Sequence, residues 1–162
     1  MSKQKKEETV DYEIRNQAGK LLFVGSEELY TKIITDVITQ GCYTHTFDIF
    51  DGKLSATFRS LTESKRTELL KHVKSTFDVS NEVNLEAQAN NDTLALAYYL
   101  QGIKMDGVEV PVASKQNEDV EAKMNGLKAL PSAVVDKLIQ YYTVFSVLMS
   151  RAFNSDDVVK NS

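Results

Sequence analysis

Cysteine, histidine and proline are scarce in this chain of 162 residues, which holds one Cys, two His and two Pro. A single cysteine, Cys42, forms no internal disulfide. Beside a strand-like stretch it reads as a small buried apolar residue. A catalytic thiolate would need a base and an electropositive setting. The nearest histidine, His45, is three residues on, so in a strand the two side chains point to opposite faces. His45 and His72 alone provide no zinc-ligand spacing. The seven glycines stand singly, mostly where elements should end, so no glycine-rich loop cradles a phosphate. There is no Gly-x-Ser-x-Gly elbow. The paired carboxylates Glu7-Glu8, Glu27-Glu28, Glu118-Asp119 and Asp156-Asp157 fall in tails, first turns or polar stretches, where they solvate or cap. The expectation is a protein that is not an enzyme and uses no cofactor or metal.

A basic field is also missing. Nineteen Lys+Arg face 23 Asp+Glu, for a net charge of −4, which argues against a general nucleic-acid binder. The longest uncharged run near the end, Leu138 to Ser150, has thirteen residues, short of the roughly 20 of a membrane span. The opening MSKQKKEE has no apolar segment of the secretory kind. These absences point to a soluble protein of a reducing cytosol.

What is present fits one globular domain. The chain is 42% hydrophobic, and a domain of this size buries about 70% of its unfolded surface without disulfide or metal. The pattern predicts an α+β fold with residues 1–19 as a mobile N-terminal arm, 20–153 as the domain and 154–162 as a polar tail. Lys20 to Val24 suits a short strand or entry segment. Ser26 suits a helix N-cap, with Glu27 and Glu28 in the first turn. Leu29, Tyr30, Ile33, Ile34, Val37 and Ile38 then make one apolar stripe, which Gly41 stops.

Two hairpins follow from Asp-Gly pairs, which favour type I′ turns. The first joins strands at about 43–50 and 53–60, with Phe47 and Ile49 facing Leu54, Ala56 and Phe58. The second joins 103–105 to 108–110. Asp48 and Asp51 read as exposed-face and turn residues, since a calcium loop needs alternating acids and a closing Glu. Between the hairpins Thr62 opens a helix that buries Leu69, Leu70, Val73 and Phe77. Ser80 or Asn81 caps another, in which Asn90-Asn91-Asp92 favours a kink or break. Residues 42–77 carry six bases and four acids, whereas 78–113 carry one base and six acids. Residues 114–128 are helix-compatible but weakly periodic.

Pro131 suits the first turn of a long last helix, about 131–153. Val134, Val135, Leu138, Ile139, Tyr142, Phe145, Leu148, Met149 and Phe153 give it a wide apolar face. A stripe that broad belongs to a central core helix packed on two sides, or in part to a docking surface for another chain.

The order of these elements carries a resemblance. Its parts are the strand-to-helix phrase TFRSLTESK (Thr57 to Lys65), the hairpin phrase LAYYLQGIKMDGVEV (Leu96 to Val110) and the Leu130-Pro131 entry to the last helix. Together, over roughly residues 26–153, they resemble the tail assembly chaperones and related baseplate hub assembly proteins of long-tailed bacteriophages. The resemblance implies a non-enzymatic adaptor of the host cytoplasm. Such an adaptor holds apolar stretches of the tape-measure protein or of hub components soluble until the tail assembles. It implies no cofactor, no nucleic acid and no membrane, and it leaves room for a homo-oligomer. The partner-contact residues it would draw on here are Leu138, Tyr142, Phe145 and Met149, with Phe47 and Phe58 on the first hairpin. The alternative is a structural virion component of the tail, baseplate or neck.

Overall fold

The computed structural model describes residues 12–73, 84–110 and 119–154. The first eleven residues of the expected arm, the tail beyond Asn154, Phe77 and the expected cap at Ser80 or Asn81 lie outside them.

Local signals set most element ends. Ser26 is extended, and its hydroxyl accepts from the Leu29 amide at 3.0 Å. Helix α1 (Glu27–Gln40) therefore starts where the sequence expects it, and it stops at Gly41 in the left-handed region, φ 80°. Thr62 caps α2 (Glu63–His72) and Asn84 caps α3 (Leu85–Tyr99). Asp119 caps α4 (Val120–Lys128), and α5 (Ser132–Asn154) follows Pro131. No break interrupts α3 at Asn90-Asn91-Asp92. The expected kink is absent because burial of Leu94, Leu96 and Ala97 downstream outweighs a propensity loss of a few tenths of a kcal/mol per residue.

The main sheet is antiparallel, with β3 (Thr44–Ile49), β4 (Leu54–Arg59), β5 (Leu100–Met105) and β6 (Val108–Glu109) in that order. Both Asp-Gly pairs make the turns expected of them. Asp51 and Gly52 have φ of 57° and 82°, and the Lys53 amide donates to Phe50 O at 3.2 Å. Asp106 and Gly107 have φ of 49° and 77°. The two turns are themselves tied together, since the Asp106 amide donates to Lys53 O at 2.9 Å. β5 continues directly from α3 and pairs with β4, with a bulge between Thr57 and Phe58.

One face of this sheet is wet and the other is covered, as is common for antiparallel sheets. Thr44, Thr46 and Asp48 are exposed, whereas Phe47, Ile49, Leu54, Ala56, Phe58 and Ile103 are buried. Helix α5 lies over the covered face, touching β3 and β4, and packs also against α1, α3 and α4. Of the two readings of its broad stripe, the central helix accounts for most of it.

A second sheet corrects the arm. β1 (Glu13–Arg15) pairs with β2 (Leu21–Val24), and Ile14 opposite Phe23 is 4% exposed. From α5, Arg151 Nη1 donates to Glu13 O at 2.7 Å. Residues 12–19 are thus part of the folded body. A three-residue strand with one inward side chain is too short to show a period of two. The stripe of α2 is also narrower than expected, since Leu69 is buried while Leu70 is 55% exposed.

Truncating Phe58 or Phe145 to Ala should lower unfolding free energy by about 3–5 kcal/mol each, read by urea denaturation. Gly52→Ala, at positive φ, should cost about 1 kcal/mol.

Candidate functional site

The six residues expected to meet a partner divide sharply by burial. Leu138, Phe145 and Phe58 are fully buried and Phe47 is 3% exposed. Tyr142 and Met149 are half-buried at the edge of the same core. Physically, the face of α5 is consumed by the sheet. Phe145 stacks parallel to Tyr43 at 6.3 Å and lies 5.8 Å from Phe58. Phe47 meets Phe58 edge-on at 5.8 Å and Tyr141 at 5.2 Å. Tyr142 leans on Tyr99 at 5.0 Å. Four of the six are therefore core residues with no free surface, a correction to their reading as contacts. Only Tyr142 and Met149 keep an accessible flank.

Exposed apolar groups lie elsewhere, among them Leu85 at 76% and Ile38 at 74% on helices, and two at the turns of the main sheet. Phe50 is 48% exposed and Val108 is 70% exposed. Phe50 precedes the Asp51-Gly52 turn and Val108 follows the Asp106-Gly107 turn, so both stand at the end of the sheet where the two turns are hydrogen-bonded. The strand order places them three spacings apart, roughly 14 Å. Phe50 has φ 53°, a left-handed conformation that is uncommon for a bulky residue. An aromatic that is both exposed and backbone-strained is held there at a cost that its own packing does not offset. Sequence periodicity passes over both residues, because it marks inward faces and these sit at turn flanks. The available signal was a large apolar residue beside an Asp-Gly pair, where a polar one would serve.

His45 occupies an aromatic surround. Its Nδ1 is 2.6 Å from Tyr43 Oη, and the rings of Phe23 and Phe47 lie 5.6 and 4.5 Å away. Burial pushes the His45 pKa below its ordinary 6.5. Burial, with Asp36 adding to it, pushes the Tyr43 hydroxyl up to about 12. A protonated Tyr43 donating to an unprotonated Nδ1 satisfies both groups. The sequence offers no orienting partner for His45, and Tyr43 is that partner, two residues back on the same face. The pair knits β3 to the core.

Cys42 is free and half-buried. Among the described residues no group of three His, Cys, Asp or Glu is placed to hold a metal ion, and no helix is long and apolar enough to cross a membrane. No family model, curated protein or solved structure matches the chain.

The His45 geometry fixes a pH dependence. At pH above 6.5 both folded and unfolded states hold a neutral imidazole. Below it the unfolded chain takes up the proton first, so stability falls as pH drops toward the lower native pKa. Urea unfolding at pH 7.5 and at pH 5 should show that loss, and His45→Phe should reduce it.

Proposed function

We propose that this chain is a non-enzymatic binding protein of tail or baseplate morphogenesis in a long-tailed bacteriophage, holding tape-measure or hub components during assembly. The observation that carries the binding half is Phe50, a large apolar side chain exposed on a left-handed backbone. Strain of this kind, of order 1 kcal/mol or more, is commonly found where a residue is kept for contact with something else. Val108, on the neighbouring hairpin, extends the apolar surface along the same end of the sheet. The tail-assembly half is supported by the order of elements from TFRSLTESK through GIKMDGV to the Leu-Pro entry of α5. Tyr142 and Met149 supply an accessible flank on α5.

In this reading the occupant is an apolar stretch of an unassembled tail component. Aromatic groups are well suited to that work, since they bury large area at small entropic cost. A rigid presentation from two tied turns lowers the ordering cost of binding.

Two measurements test the proposal. Quantitative mass spectrometry of purified particles beside the lysate that produced them should find the protein in the lysate and not in the particle. A fixed copy number in the particle would assign it instead to the tail, baseplate or neck structure. The double variant Phe50→Asn with Val108→Ser should fold with unchanged or raised stability, because Asn tolerates positive φ, yet lose tail assembly. Normal tails from that variant would remove the hairpin ends from the binding surface.

A further inference from the structure

A cleft of about 440 Å³ opens on the other end of the sheet, away from the tied turns and unused by the function proposed above. It forms where β4 runs out into α2 and where α3 passes into β5, with the first turn of α4 along its side. Arg59 comes from β4, Lys65 from α2 and Lys123 from α4. Three cations from three elements thus converge on one cavity of a chain whose net charge is −4. Among the described residues no carboxylate lines it. Ligand sites fall in this size range.

The cations lie near two helix starts and the end of a strand. Lys65 sits in the first turn of a ten-residue helix, and Lys123 lies four residues after the cap of α4. Helix N-termini disfavour positive charge. Both lysines have local partners. Lys65 Nζ pairs with Glu68 at 3.3 Å, an exposed contact. Lys123 Nζ donates to Leu100 O at 3.2 Å. Arg59 is exposed and has no ion-pair partner among the described residues. The hydroxyls of Ser60 and Thr62 already accept, from the amides of Tyr43 and Lys65. Each keeps its own O–H to donate.

We propose that this cleft binds a small organic anion, a phosphate or carboxylate group on a compact, partly apolar body. Arg59 and Lys65 would grip the anionic head, with Ser60 and Thr62 donating to it. The side chains of Tyr99 and Val120 would meet the remainder. The anion would place negative charge beside Arg59 and at the N-terminus of α2, where both the guanidinium and the helix dipole favour it.

The test titrates the full chain, labelled with nitrogen-15, with adenosine monophosphate at constant ionic strength. Inorganic phosphate serves as competitor and adenosine as the uncharged control. Saturable amide shifts confined to residues 59–65, 100–101 and 120–123, displaced by inorganic phosphate and absent with adenosine, are expected. Arg59→Gln, exposed and outside the core, should keep the melting temperature and weaken binding about tenfold, the loss of one charge-assisted hydrogen bond. Lys104→Gln, on β5 but outside the cleft, should bind as the parent does. Absence of saturable shifts with millimolar adenosine monophosphate or phosphate would overturn the proposal. So would an Arg59→Gln variant that binds unchanged. Binding of a polyglutamate peptide but of neither anion would give the cleft to an acidic protein segment and overturn it equally.

Discussion

The contact between Phe145 and the sheet is the constraint on which the rest of the structure depends. Phe145 is fully buried, stacked on Tyr43 and packed against Phe58, with Tyr99 edge-on at 6.3 Å. Those partners come from the start of β3, from β4 and from the end of α3. One side chain of α5 therefore fixes the sheet and the α3–β5 junction relative to a single axis. Phe47 extends the cluster sideways to Phe23 of β2 at 5.6 Å, which brings the small second sheet into the same core. Aromatic pairs of this geometry add about 0.5–1.5 kcal/mol each beyond the area they bury.

That arrangement decides which surfaces remain for function. With α5 spent on the sheet, and on α1, α3 and α4, its apolar face has little left to offer a partner. Two of the surfaces that remain free are the ends of the main sheet. One end carries the tied turns with Phe50 and Val108. The other holds the cleft with Arg59, Lys65 and Lys123. The β4–β5 pairing that runs between them is in register from Leu54 to Thr57 and bulged only at Phe58, so a rigid element joins the two ends. An apolar contact and an anionic one can therefore be presented at the same time without either disturbing the core.

Much of the fold was legible in the residues. Ser26 and Gly41 bracket α1, both Asp-Gly pairs make their turns, and Pro131 opens α5, because caps and turns are decided by neighbours within four positions. The failures share the opposite cause. Ile14 is a lone inward residue whose partner Phe23 lies nine positions on. The Asn90-Asn91-Asp92 stretch stays helical because of burial that local propensity does not register. The cleft was invisible for the same reason, since its three cations are spread from residue 59 to residue 123 and meet only through the β4–β5 pairing and the packing of α4 on α3.

The sequence leaves the apolar stripe of α5 open between core and docking face, and burial decides between them. A docking helix in a stable monomer must still bury one side against its own domain, so its apolar arc is divided between two uses. Here the residues at 138, 144, 145, 148 and 152 are all fully buried, so the centre of the stripe is spent on the core. A face buried to that extent against the sheet and three helices is required for folding first. Contact residues for another protein are better sought where a side chain contributes little to its own domain and is nevertheless held in a costly conformation. Phe50 meets both conditions and Phe145 meets neither.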